Sequence, residues 1–138
     1  MKFITALVAA VSFSTLALAD TIRYDDNYGN SGNSLTSVAC SDGTNGLITR
    51  GFSTFGSLPS FPYIGASSAV AGWNSPNCGT CWAITYNGKT INVLAIDHAA
   101  DGFNLSLDAM NDLTNGQAVA LGTVQATVSQ VAASQCGL

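Results

Sequence analysis

The sequence of 138 residues predicts a mainly β domain, a barrel or a sandwich, with one short helix. Apolar and polar side chains alternate in its longest candidate strand, which is typical of a strand with one buried face. Turn sequences rich in Gly, Asn, Asp and Ser separate short apolar segments throughout the chain. The length fits one domain with one core, and only 9% of the residues are charged. These observations exclude a disordered chain and a charge-rich helical protein.

Five segments are predicted to be strands: residues 21–24, 37–40, 82–86, 90–96 and 122–131. The third and fourth flank Asn87-Gly88, a strong signal for a two-residue hairpin turn. In the last segment Val124, Ala126 and Val128 alternate with polar residues, which indicates a half-buried strand.

A helix is predicted over residues 107–113. Ser106 is a suitable N-cap, Asp108 suits the positive end of the helix dipole, and Asn115-Gly116 can end the helix. A helical turn is also expected over residues 66–71. Loops are expected elsewhere, chiefly over residues 25–37, 41–46 and 53–63, where turn residues or Gly and Pro are frequent.

The N-terminus predicts a secretory signal peptide over residues 1–19. Lys2 precedes an apolar run that ends in small residues at Ala17-Leu18-Ala19, the pattern of a cleavage site. The run is short for a membrane span. We therefore expect a mature domain of residues 20–138 that is secreted and has no membrane-spanning segment.

The charge of the mature chain argues against nucleic acid as a partner. Arg23, Arg50 and Lys89 stand against eight Asp, a net charge of −5. A phosphate backbone would be repelled by this excess of carboxylates.

The four cysteines, Cys40, Cys78, Cys81 and Cys136, are predicted to form two disulfides, because secretion exposes them to an oxidising compartment. Three pairings are compatible with four cysteines. A redox-active pair at Cys78 and Cys81 would need a helix to start at the motif, but a strand is predicted there. A zinc site is disfavoured by oxidation of the thiols.

Asp97 is the most suggestive candidate for a functional residue, since it ends the apolar strand of residues 93–96. The alternative is a structural residue that caps the following loop. His98 is the only histidine, so neither a histidine-rich metal site nor a catalytic triad is indicated. Trp73 and Trp82 could stack on sugar rings, although aromatic side chains of a small domain are more often buried.

Seven short motifs occur in a fixed order along the mature chain. They begin with Tyr24-Asp25 near its start, continue at residues 37–43, 71–76, 78–82, 95–97 and 102–104, and end with Cys136. Together these motifs resemble those of the cerato-platanins, a family of small secreted fungal proteins, and the resemblance covers the whole mature chain.

The resemblance implies a fold and a function. The implied fold is a six-stranded double-ψ β-barrel with short helices, like the barrel domain of expansins, with disulfides Cys40–Cys78 and Cys81–Cys136. The implied ligands are chitin, N-acetylglucosamine oligomers or other cell-wall glycans, bound without a cofactor. Loosening of polysaccharide networks, self-assembly at interfaces and elicitation of plant defence, through a plant-surface receptor, are also implied. The location is extracellular or in the fungal cell wall.

By this resemblance, Asp97 matches the acidic position with which the family binds carbohydrate. Asn104 is implied to follow it in the same groove. Tyr24, Asp25 and Asp42 are further carbohydrate-binding candidates on that face. Related endoglucanases and expansins have Asp where this chain has Asn104, and an amide cannot act as a general acid. We therefore expect a binding protein rather than an enzyme. The alternatives are a weak polysaccharide hydrolase and a hydrophobin-like coat protein.

Overall fold

A computed structural model describes residues 18–138, in which six strands close a barrel. Most of the predicted signal peptide, residues 1–17, lies outside the described residues. The strands are β1 (Leu18–Tyr24), β2 (Ile64–Ser67), β3 (Cys81–Tyr86), β4 (Lys89–His98), β5 (Phe103–Leu105) and β6 (Thr123–Val131). The α-helices are α1 (Leu107–Leu113) and α2 (Ala118–Leu121). Short 3₁₀ helices span Asp26–Gly29, Leu35–Ser37, Phe55–Ser57 and Ala133–Cys136. The predicted six-stranded barrel with short helices is confirmed.

The order of the strands around the barrel is β1, β5, β2, β4, β3, β6. β1 pairs parallel with β5, β2 pairs parallel with β4, and the other four pairings are antiparallel. Asn87 and Gly88, both at positive φ, form the predicted turn between β3 and β4. A two-residue turn of this kind matches the twist of the flanking strands, so the local sequence determines the hairpin.

The predicted helix is confirmed as α1, with Ser106 as its N-cap. The Ser106 hydroxyl oxygen accepts a hydrogen bond of 3.1 Å from the Ala109 amide, which satisfies one of the free N–H groups of the first turn. One face of α1 buries Ala109, Met110 and Leu113 against the barrel.

Two of the predicted elements are wrong. Residues 37–40 are not a strand: the chain leaves a 3₁₀ helix at Ser37, and the Cys40 amide makes a hydrogen bond of 3.1 Å to the Ile96 carbonyl oxygen. Residues 66–71 are not a helical turn, because Ala66 and Ser67 belong to β2 and pair with β4 and β5 on either side. Backbone pairing with two neighbours outweighs the helix propensity of a short run of small residues.

The hydrophobic core has two parts. One part lies among the barrel strands and α1 and includes Ile22, Ile84, Phe103 and Met110. The other lies between the barrel and the long segment from β1 to β3, and includes Leu35, Leu47, Phe55, Ile96 and all four cysteines. The second part allows a segment with little regular structure to pack in a fixed position beside the carboxyl end of β4.

The disulfides join Cys40 to Cys78 and Cys81 to Cys136, the pairing that the resemblance implies. The first joins two parts of the long segment, the loop around Cys40 and the loop that precedes β3. The second ties the start of β3 to the C-terminal 3₁₀ helix. No cysteine in residues 18–138 is left as a free thiol.

Within the described part of the chain, no helix is long and apolar enough to cross a membrane. In the same residues, no three side chains of the metal-binding types cluster closely enough to hold an ion.

Candidate functional site

The carboxyl end of β4 meets two loops, one that contains Cys40 and one that leads to Cys78. Five side chains lie on these segments: Tyr28 hydrogen-bonds to Asp97, Trp73 hydrogen-bonds to Asp42, and His98 follows Asp97 in β4. We refer to these five residues as the Asp97 rim. They are separated by up to 70 positions in sequence, and the fold brings them together.

Asp97 is half-buried at the centre of the rim and makes three hydrogen bonds. Its Oδ1 accepts from the backbone amides of Ala39 and His98, both at 2.9 Å, and its Oδ2 accepts from the Tyr28 hydroxyl at 2.8 Å. An ionised carboxylate has about four lone-pair directions, so roughly one direction is left for a ligand. Asp97 therefore connects three segments of the chain, which is a wider structural role than capping the loop that follows.

Tyr28 is a rim residue that the sequence interpretation missed. It is 5% exposed, and its ring stacks on Phe55 with centroids 6.1 Å apart. Burial, followed by the nearby charge of Asp97, raises the pKa of the Tyr28 hydroxyl far above its usual range. At neutral pH the hydroxyl is therefore protonated and donates to Asp97. An aromatic side chain within the polar stretch of residues 25–34 is the one sequence signal that could have indicated it.

Trp73 is 63% exposed, and its indole N–H donates a hydrogen bond of 2.7 Å to Oδ1 of Asp42. This hydrogen bond is the main reason that the pKa of Asp42 is lowered. The bond joins two loops that are 31 residues apart and holds the indole ring at the surface. Trp73 is the exposed exception to the expectation that most aromatic side chains are buried or half-buried, whereas Trp82 is half-buried and packs edge-on against Phe103.

Two further hydrogen bonds fix the same pair of loops. The Asn74 side-chain oxygen accepts from the Asn45 amide at 2.9 Å, and the Asn45 side chain donates to the Asn74 carbonyl at 3.0 Å. Gly43 lies at φ +81°, where a Cβ atom would come within 2.7 Å of the Asn74 side chain and 3.1 Å of the Trp73 ring. The indole therefore has a rigid support.

His98 anchors the loop that leads to Trp73. Its Nδ1 lies 2.6 Å from the Val70 carbonyl oxygen. A carbonyl only accepts, so Nδ1 carries the proton in this contact. A shallow pocket of about 320 Å³ lies beside Asp42, lined also by Thr36, Ser41 and Ile48.

Asn104 lies two strands away from Asp97. Ala66 of β2 pairs with Asn104 on one side and with Asp97 on the other, which separates the two backbones by about 10 Å. Tyr24 pairs with Leu105, and the Asp25 amide donates to the Leu105 carbonyl at 2.9 Å. Tyr24 and Asp25 thus lie beside Asn104, while Asp42 follows Ala39, whose amide bonds to Asp97.

The side chains of these candidates differ in their exposure and in their contacts. Asp25 is exposed, and its Oδ1 caps the following 3₁₀ helix through the Asn27 amide at 2.9 Å. Tyr24 packs partly against the barrel core. Asn104 is half-buried on the shortest strand. The most open combination of an aromatic face and a carboxylate is therefore Trp73 with Asp42.

This arrangement offers a flat apolar ring, carboxylates and fixed backbone groups at one surface. Such a surface suits a neutral ligand that has both hydroxyl groups and apolar C–H faces.

Comparisons with known proteins agree with this architecture. A family model for cerato-platanin matches residues 20–138. A heat-stable 19 kDa antigen of Coccidioides immitis (strain RS) is 46% identical over 145 residues, which cover 100% of this chain and 99% of that protein. The crystal structure of cerato-platanin 2 from M. perniciosa has 54% identity and a TM-score of 0.83, covering 88% of this chain and 100% of that one. The solution structure of the fungal elicitor cerato-platanin has 38% identity and a TM-score of 0.76, covering 84% and 95%.

Proposed function

Since this chain belongs to the cerato-platanin family, we propose that it is a secreted, non-catalytic protein that binds cell-wall polysaccharide at the Asp97 rim. The ligands in this proposal are chitin and N-acetylglucosamine oligomers. The signal peptide supports secretion, and the polar, rigid surface of the rim supports binding.

The observation that carries the proposal is the exposure of Trp73 together with its hydrogen bond to Asp42. A large aromatic side chain that is 63% exposed leaves apolar area in water, which folding normally removes. The hydrogen bond fixes the ring, so little side-chain entropy is lost when a sugar ring stacks on it. The Asp42 carboxylate beside the ring can accept hydrogen bonds from hydroxyl or acetamide N–H groups.

The rim is poorly suited to hydrolysis. A glycosidase of the usual kind needs one carboxylic acid that donates a proton and a second carboxylate as base or nucleophile. Position 104, where related hydrolases have the acid, is an amide in this chain. Asp97 already uses three lone-pair directions for Tyr28, Ala39 and His98. The proposal therefore assigns no catalytic residue and no cofactor.

Loosening of polysaccharide networks and elicitation of plant defence are part of the proposal. A protein that competes for hydroxyl groups between chains can weaken a network without breaking covalent bonds. The description of one structural relative as a fungal elicitor supports the second activity. A plant-surface receptor would be the partner in that case.

Calorimetric titration of the mature protein with N-acetylglucosamine hexamer tests the proposal. We expect Trp73→Ala to weaken binding at least tenfold, about 1.4 kcal/mol. Val119→Ala is the matched control, because Val119 is 65% exposed, close to the value for Trp73, but lies on α2. Its affinity should equal that of the wild type.

Equal affinities for all three proteins would contradict binding at the rim. A reducing-end assay on chitin and cellulose completes the test. Sustained release of reducing ends by pure wild-type protein would show that the hydrolase alternative is right.

A further inference from the structure

A second pocket lies at the other end of β4, away from the Asp97 rim. It has a volume of about 550 Å³ and opens between the β3–β4 turn and the C-terminal end of α1. Its lining includes Tyr86, Asn87, Lys89, Asn111, Asp112 and Asn115. None of these residues is among the carbohydrate-binding candidates that the family resemblance indicated. We refer to this cavity as the Tyr86 pocket.

The walls of the Tyr86 pocket are fixed by polar contacts. Lys89 Nζ lies 3.1 Å from Asp112 Oδ1, which links the hairpin to α1. Asp112 Oδ2 also accepts from the Tyr63 hydroxyl at 2.7 Å. Asn111 Oδ1 accepts from the Ala118 amide at 3.1 Å, which holds the connection between α1 and α2. The cavity is therefore formed before any ligand enters.

The chemistry of the lining favours a neutral, hydroxyl-rich ligand. The Lys89 and Asp112 charges balance each other, so neither an anion nor a cation is preferred. Side-chain amides both donate and accept, as do sugar hydroxyl groups, and an acetamido group matches them equally well. The half-buried Tyr86 ring adds an aromatic face. A volume of 550 Å³ falls within the range of small-molecule sites.

We propose that the Tyr86 pocket is a second saccharide site, so that the protein binds two glycan segments at once. The inference rests on the proposed function for the first site. Lys89 begins β4 and Asp97 stands near its end, so these two residues, one from each site, lie about 25 Å apart along the strand. At that distance two separate chains can be bound without steric conflict. The protein would then bridge neighbouring polysaccharide chains.

The test is an NMR titration of the mature protein with N-acetylglucosamine tetramer, followed through the backbone amides. Two separate groups of signals should shift, one around Trp73 and one around Tyr86. Asn87 and Asn115 lie at φ +46° and +56°, so the double variant N87G/N115G removes both side chains and keeps a backbone that glycine adopts easily. It should weaken binding at the Tyr86 pocket at least tenfold and leave the shifts around Trp73 unchanged. Trp73→Ala should have the reverse effect.

The outcomes separate the two proposals. Shifts around Trp73 alone would overturn the second site and leave the proposed function intact. Shifts around Tyr86 alone would support the pocket and contradict binding at the Asp97 rim. Equal binding at the pocket by N87G/N115G and the wild type would overturn the role of these amides. Melting temperatures of the variants identify any loss of binding that results from unfolding.

Discussion

Residues 25–80 and residues 81–131 are held in place by different means. The second segment contains the β3–β4 hairpin, α1 and β6, and its order comes mainly from continuous backbone ladders. The first segment contains only one strand of four residues and three 3₁₀ helices. Its order comes from the Cys40–Cys78 disulfide and from side chains that bond to distant backbone groups.

The difference shows where the rim obtains its geometry. Backbone ladders place Asp97 on β4 and Asn104 on β5 at defined positions on either side of β2. Side-chain bonds then tie the segment of Tyr28 to Asp97, and tie the loops that carry Asp42 and Trp73 to each other. A binding surface built this way depends on a few individual contacts. The variants described below remove these contacts one at a time.

The largest effect is expected for the disulfides. The Cys40–Cys78 and Cys81–Cys136 pairs are separated by 38 and 55 positions, so chain entropy predicts a loss of about 4 kcal/mol for either one. Their local effects should differ. In C40A/C78A, amide exchange should accelerate mainly within residues 25–80, because this segment has few ladder bonds to replace the cross-link.

Urea denaturation and hydrogen exchange check this prediction, and C81A/C136A is the matched control. Uniform loss of protection along C40A/C78A would contradict the contrast between the two segments. Non-reducing peptide mapping of the wild type should give the same two linkages.

Asp97→Ala should lower the free energy of unfolding by about 3 kcal/mol, because it leaves the Tyr28 hydroxyl and the Ala39 amide without their acceptor. The matched control is Asp101→Ala. Asp101 is an exposed carboxylate whose contact with Arg23, at 3.8 Å, is a surface ion pair of little value. Urea denaturation gives the free energy of unfolding of both variants. If the two variants are equally stable, the hydrogen bonds of Asp97 do not stabilise the rim.

A smaller effect is expected for Tyr28→Phe, in the pH dependence of the free energy of unfolding. The folded pKa of Tyr28 lies above its unfolded value, so this group's stabilisation is present below about pH 10 and is lost as the pH increases beyond it. Between pH 10 and 11 the wild type should lose about 1 kcal/mol through Tyr28. Tyr28→Phe should lack this part of the pH dependence.

Urea unfolding at pH 9, 10 and 11 measures the slope for both proteins. Tyr63 also has a raised pKa, chiefly through its hydrogen bond to Asp112, so part of the slope should remain in the variant. Identical slopes would show that the buried hydroxyl of Tyr28 is not held protonated by burial and Asp97.

The sequence predicted the elements that are determined by residues close together in the chain. Asn87-Gly88 specifies its own turn, Ser106 caps α1, and the alternation at Val124, Ala126 and Val128 matches the buried positions of β6. The helix α2 was missed, because its four residues carry no side-chain cap.

β2 and β5 could not be predicted in the same way. Gly65 is needed because a Cβ atom there would lie 2.3 Å from the Asn104 carbonyl oxygen, a contact that exists only after β2 and β5 pair. β5 has only three residues, too few for a periodic pattern.

The candidate site was predicted in part. Asp97 stands at the strand end as expected, and its position follows from a local apolar run. Its contact with Tyr28 spans 69 residues, and the Trp73–Asp42 contact spans 31. Such contacts depend on the closed fold, so neither the burial of Tyr28 nor the exposure of Trp73 could be obtained from the sequence pattern.

The central claim is that the exposed indole of Trp73 contacts the saccharide. The chain has two tryptophans, so Trp82→Phe leaves Trp73 as the only indole, and its fluorescence then reports on the Asp97 rim alone. Titration of this variant with N-acetylglucosamine hexamer should give a saturable blue shift, with the dissociation constant found by calorimetry. Calorimetric binding without any change in this fluorescence would contradict the claim.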